Sequence, residues 1–180
     1  MKYTKISLIL GMLLLCQFRE SAAQQKKENI KKTNAFMGFG IGMDFGGIGC
    51  KVEFVPVPYV GIFAGLGFNF QQIGFNGGLS FKALPHKRLT PTLQTMYGYN
   101  AVIMIAGAAK YNKTYYGPSV GVGLDWKVGK NNNKLFAGIY HPFRSQAYHD
   151  DLARVKADPG IEMKSEPGAV TASIGFNFAF

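Results

Sequence analysis

Four residues near the C-terminus, His141, Ser145, His149 and Asp150, have the types from which hydrolytic or metal chemistry is built. A hydroxyl, an imidazole and a carboxylate within hydrogen-bond reach make an activated nucleophile, so His141, Ser145 and Asp150 are the catalytic candidates. Two features weigh against them. Ser145 stands where a helix would begin, and the set runs along one segment instead of meeting across neighbouring strands. His141, His149 and Asp150 also offer metal ligands, but their spacing matches no standard ligand set. No metal or other cofactor is therefore expected. His86 is isolated among basic residues. The glycines of Gly38-x-Gly40-x-Gly42 and Gly46-Gly47-x-Gly49 would need a strand-to-helix turn to cradle a dinucleotide phosphate. They alternate instead with Phe39, Ile41 and Met43, the pattern of small residues on one face of a strand.

The elements that would position these residues follow from the rest of the chain. Lys2 and Lys5 precede an apolar run from Ile6 to Cys16, and Ser21-Ala22-Ala23 supplies small residues. This is the layout of a secretory signal peptide, with a core too short to span a bilayer. Cleavage is expected near Ala23. Lipidation at Cys16 is the alternative, against which stands the bulky Leu15 before it. Residues 24–34 then form a periplasmic lead-in, and 35–180 a single domain. Losing Lys2, Lys5, Arg19 and Glu20 takes the formal net charge from +10 to +8. The positive residues scatter or sit in turns, so no nucleic-acid partner is expected. Cys50 alone remains after cleavage and has no intramolecular disulfide partner.

The chain holds 23 glycines, 15 phenylalanines and 9 tyrosines, with few charges. These residues are arranged in alternation. In the last strand Val170, Ala172, Ile174, Phe176, Phe178 and Phe180 oppose Thr171, Ser173, Gly175, Asn177 and Ala179. Side chains alternate between the two faces of a strand, so one face is apolar with an aromatic end and the other is small and polar. The same pattern predicts strands at Met37–Phe45, Tyr59–Phe70, Ile73–Lys82, Leu93–Ile105 and Pro118–Val128. In these, Phe45 falls on the apolar face of Met37–Phe45, and Tyr97, Tyr99, Ala101, Ile103 and Ile105 share one face of Leu93–Ile105. Ile48–Val55 and Lys134–Tyr140 alternate more weakly, and the faces of the latter cannot be ranked.

Eight such segments predict an all-β fold, an eight-stranded antiparallel up-and-down transmembrane β-barrel. Membrane strands need about 9–11 residues, bacterial single-chain barrels have even strand numbers, and closure satisfies every backbone group in lipid. Phe176, Phe178 and Phe180 become the lipid-facing aromatic girdle. A lumen charge cluster of Asp44, Lys51, Glu53, Lys82, Asp125 and Lys127 falls on the polar faces, where opposite signs would pair and fill a barrel this narrow. A lipocalin-like soluble barrel would require the opposite arrangement, with the aromatic face overfilling the core.

With both termini on the periplasmic side, the outer loops include 106–115 and 142–168. The latter carries a short helix: Ser145 caps it, Tyr148, Leu152 and Val155 recur at helical spacing, and Asp158-Pro159-Gly160 ends it. Such a helix could cover the barrel mouth, lie at the membrane surface or meet an extracellular partner.

These residues resemble the small outer-membrane barrels typified by OmpA's membrane domain and OmpX, and the uncharacterised small barrels of Bacteroidota. The resemblance rests on Met1–Ala23, the eight alternating segments and the terminal Thr171–Phe180, whose final phenylalanine is similar to the insertion signal read by the barrel-assembly machinery. It implies the outer membrane of a Gram-negative bacterium, with outer-membrane lipid and lipopolysaccharide as surroundings. Members of these families serve adhesion, defence, scaffolding and lipid chemistry. The expected role is structural or surface-interacting, not that of a general porin. The alternatives are a lipid-A-processing deacylase or acyltransferase using the His141 set, or a narrow channel.

Overall fold

The computed structural model describes residues 35–105, 111–161 and 168–180. The expected signal segment 1–23, the expected lead-in 24–34 and parts of the two long loops, 106–110 and 162–167, lie outside them. Among the described residues the chain forms β1 (Ala35–Gly42), β2 (Gly47–Val57), β3 (Val60–Phe68), β4 (Ile73–Lys82), β5 (Leu89–Ile103), β6 (Lys113–Val128), β7 (Asn133–Pro142), helix α1 (Gln146–Ala157) and β8 (Thr171–Ala179). Each strand pairs antiparallel with the next, and β8 closes on β1 with Phe39 opposite Phe176. The fold is a closed eight-stranded up-and-down barrel with a short helix between β7 and β8.

Alternation sets the two faces. Phe39, Phe54, Leu66, Phe75, Val122, Trp126, Ile139 and Phe178 all point outward and are exposed. Lys51, Asn76, Ser80, Gln94, Ser119, Asp125, Ser173 and Asn177 point inward and are buried. The outer surface is thus apolar and the inner one polar, the inverse of a soluble barrel. Phe176, on the outward face opposite Phe39, is half-buried and lies 4.8 Å from Phe178, whose ring meets Phe39 edge-on; Phe178 and Phe180 are exposed on the outside.

Three details depart from simple alternation. First, the strand predicted over Met37–Phe45 stops at Gly42, and Met43–Phe45 form a 3-10 turn whose three residues are all buried. Phe45 therefore faces the lumen and not the exterior. Gly42 (φ 141°) and Gly46 (φ 73°) make the reversal at either end, conformations that favour glycine. Second, the register of β5 against β6 shifts between Tyr99 and Ala101. An extra residue at a bulge exchanges the faces, so Ala101 and Ile103 are buried while Tyr97 remains outside. Third, β6 begins at Lys113 and β5 at Leu89, several residues before the alternating segments foretold. The early start of β6 raises the β5–β6 hairpin past its neighbours at the end opposite the termini, while that of β5 lengthens it at the terminal end.

Helix α1 docks on that hairpin. Ser145 caps it, its hydroxyl accepting from the Tyr148 amide at 3.4 Å. Tyr148 and Val155, one face of the helix, are buried against Ala101, Ile103 and Tyr115, with Leu152, Ile105, Tyr111 and Ile161 around them.

Candidate functional site: a filled lumen and a loop-end module

The interior is built in two layers. Toward the loop end, the 3-10 turn drops Asp44 and Phe45 into the barrel. Its backbone is fastened to opposite walls: the Met43 amide donates to Ser173 Oγ at 3.0 Å, and Asn76 Nδ2 donates to the Met43 carbonyl at 2.6 Å. The Asp44 carboxylate pairs with the Lys51 ammonium. That ammonium also lies 4.5 Å from the Phe45 ring centroid and 4.4 Å from that of Phe136. Phe63, Met96 and Tyr140 complete the layer, and the Tyr140 hydroxyl donates to Gln94 Oε1 at 2.6 Å.

Room for these rings comes from glycines on neighbouring strands and, for Phe136, on its own strand. A Cβ on Gly175 would stand 2.3 Å from the Phe45 ring, one on Gly121 2.2 Å from Tyr140, and one on Gly138 2.8 Å from Phe136. The interior glycines are the complement of the aromatic plug, since contacts this close would force neighbours to move.

Toward the terminal end, Glu53 accepts from Lys82 Nζ and Ser80 Oγ, each at 2.5 Å. Lys82 also lies 4.0 Å from Asp125, which pairs with Lys134 at 3.3 Å. Lys134 sits 3.7 Å over the Phe36 ring. Within these two layers Asp44, Glu53 and Asp125 face Lys51, Lys82 and Lys134, three charges of each sign. Buried ions need such pairing, because each desolvated charge costs several kcal/mol.

The structure thus brings together Asp44 with Lys51, and Glu53 with Lys82 and Asp125. Lys127 makes none of these ion pairs among the described residues, although its charge acts on Asp125 and Lys82. That side chain is half-exposed and donates from Nζ to the Pro85 carbonyl at 2.6 Å, in the β4–β5 turn. Lys134, missed because the β7 faces could not be ranked, takes its place. Its signal was available across the sheet: β6 and β7 pair with Asp125 opposite Phe136 and Lys127 opposite Lys134, which places Lys134 on the lumen side.

The hydrolytic candidates stay apart. His141 is exposed on the outer surface, edge-on to Phe143 at 5.1 Å. Ser145 spends its hydroxyl on the helix cap, and Asp150 Oδ1 accepts from Gln146 within the helix at 3.0 Å. No hydrogen bond joins the three among the described residues.

At the loop end, α1 and the β5–β6 hairpin form a polar-edged module. Asp151 accepts from Lys113 Nζ and the Tyr115 hydroxyl, both at 2.8 Å, and Tyr111 donates to Asp158 at 2.7 Å. The bonds from Lys113 and then Tyr115 hold the Asp151 carboxyl below its ordinary value of 3.8. A carboxylate with a depressed folded pKa stabilises the folded form above its unfolded pKa, and that contribution fades as pH falls through the folded value. Limited proteolysis of the α1 segment should therefore be constant from neutrality down to the ordinary aspartate range and accelerate below it. In Asp151→Asn the acid-dependent step should vanish. An unchanged acid profile in that variant would separate helix docking from Asp151.

The lining and closure define the class, a closed eight-stranded antiparallel β-barrel with a filled interior. No protein-family profile matches the chain, and no curated protein matches its sequence. Among solved structures it is similar to the N-terminal β-barrel domain of Pseudomonas aeruginosa OprF, at 14% identity and a TM-score of 0.50, over 82% of this chain and 98% of that one. Acinetobacter baumannii CarO2 also matches, at 13% identity and a TM-score of 0.37, over 82% of this chain and 97% of that one. At these identities the likeness is one of fold.

Proposed function

We propose that this protein is a small integral outer-membrane barrel of a Gram-negative bacterium, of the Bacteroidota type, with a structural or surface-interaction role. The single observation carrying this reading is the inversion of polarity: an apolar, aromatic-bearing exterior around an interior of paired charges and packed rings. In water such an exterior would be a large exposed apolar surface, whereas in lipid it is the expected one. Residues 1–23 supply the export signal and Phe180 the insertion signal. The termini lie in the periplasm and the α1 module outside the cell, where it would meet partners.

The role excludes bulk transport, because Phe45, Phe63, Phe136 and the Asp44–Lys51 pair occupy the lumen where a pore would run. Eight-stranded barrels have interiors just wide enough for their own side chains. Two measurements test the reading. Cell fractionation should place the protein with outer-membrane markers, and recovery in the soluble fraction would overturn the membrane assignment. Purified protein in planar bilayers should show no discrete conductance, and reproducible stepwise openings would overturn the filled lumen.

A further inference from the structure

The outer wall of the barrel is not uniform. Across β5 to β8 the outward positions Ala137 and Ala172 are small, while Leu124, Val122, Ile139 and Ile174 beside them are large. The result is an apolar groove of about 810 Å³ on the exterior, lined by Ala83, Pro91, Leu124, Ala137, Ile139 and Ala172 among others. This falls within the roughly 300–1,000 Å³ of sites that bury small molecules.

One end of the groove stops at the base of a turn that carries cations. Ala83 and Pro91 are joined by a 3.0 Å backbone hydrogen bond at the base of the β4–β5 turn, which then carries Lys87 and Arg88, both exposed. Pro91 faces Leu124 in the register, and Leu89 faces Trp126. The groove therefore ends one two-residue step, about 7 Å along the strands, from Trp126. The Arg88 guanidinium lies 5.7 Å over the Trp126 ring, and the Lys127 amide donates to the Arg88 carbonyl at 2.8 Å, fixing the turn. Lys127 and Lys130 stand at the same end. The described acidic residues outside the lumen, Asp150, Asp151 and Asp158, are on or beside α1 at the opposite end. An apolar slot ending near exposed cations, one of them over an aromatic ring, is complementary to an acyl chain carrying a phosphate.

We infer that this groove is a lipid site, holding an acyl chain of an anionic phospholipid against Ala137 and Ala172 with its phosphate at Arg88 and Lys87. The site rests on the membrane assignment proposed above. It provides a preferred lipid at the terminal-end leaflet on one side of the barrel, where an ordinary wall would take any lipid. Cations near a membrane surface favour anionic over zwitterionic headgroups by roughly fivefold each.

Trp126, the only tryptophan in the chain, is a built-in reporter. The protein is reconstituted in phosphatidylcholine vesicles in which a fixed fraction is brominated-chain phosphatidylglycerol or brominated-chain phosphatidylcholine. Quenching of Trp126 should give a relative affinity of roughly fivefold or more for the anionic lipid. The double variant Lys87→Gln/Arg88→Gln should bring the ratio to about one. Filling the groove with Ala137→Phe/Ala172→Phe, which leaves both cations in place, should at least halve the ratio. Equal quenching by the two headgroups in the native chain would overturn the lipid site while leaving the membrane assignment standing, as would an anionic preference that survives the loss of both cations. Absence of quenching by either lipid would overturn the membrane assignment itself.

Discussion

Asp44→Ala is expected to destabilise the folded barrel by about 3–5 kcal/mol, the typical cost of leaving one partner of a buried ion pair uncompensated. Asp44 is fully buried and Lys51 nearly so. With the carboxylate gone, the Lys51 ammonium is left among the rings of Phe45, Phe63 and Phe136, at 4.5, 5.5 and 4.4 Å from their centroids. Ring faces attract a cation by only about 0.5–2 kcal/mol, less than its desolvation costs, so the aromatic box cannot hold it alone. Asp44→Ala/Lys51→Met, which removes both charges, should recover most of the loss. The measurement is equilibrium unfolding in urea from lipid vesicles, followed by Trp126 fluorescence. Equal destabilisation of the single and double variants would show that the 3-10 turn's packing matters and its charge does not.

The second large effect concerns the fit between rings and glycines. Phe136→Ala removes a fully buried ring and should cost about 3–5 kcal/mol through lost burial and the cavity left behind. Gly138→Leu alone should also destabilise, by about 1–3 kcal/mol from overpacking, because its Cβ would stand 2.8 Å from that same ring. The nearest neighbours of a Gly138 Cβ are the side chains of Phe136 and Tyr140, not backbone. Phe136→Ala/Gly138→Leu should therefore be more stable than either single variant, the new side chain entering the space the ring vacates. Additive losses in the same unfolding experiment would show that the two positions do not share one volume.

These contrasts explain how far the sequence could be read. Alternation located β3, β4, β8 and most of β6 because large apolar residues face outward there, against mainly glycine, serine and asparagine inside. It misplaced Phe45 because alternation assumes that a strand continues, and the cues for its end, Gly42 and the Gly46-Gly47 pair, look the same inside a glycine-rich strand. It misplaced Ala101 and Ile103 because a one-residue bulge changes phase without a distinctive local residue. The faces of β7 could not be ranked because Phe136 and Tyr140 fill space vacated by Gly121, Gly123 and Gly138, partly on the neighbouring strand. That relation exists only once the register is known. Of the candidate charges, Lys51 and Glu53 lie inside although β2 alternates weakly, while Lys127, on the strongly alternating β6, reaches with its long side chain to the β4–β5 turn.

The inward 3-10 turn also bears on the order of assembly. Met43–Phe45 belongs to the first hairpin, yet its anchor Ser173 and its facing Gly175 lie on β8, the last strand. A sheet that has formed β1 to β7 has no wall on that side of Phe45. Before the seam between β8 and β1 is sealed, water can reach Asp44 and Lys51 through the gap. Drying of the interior and joining of the two edges are thus one event. Assembly machinery that holds the edges apart would keep the chain hydrated within, and releasing them completes both the wall and the core.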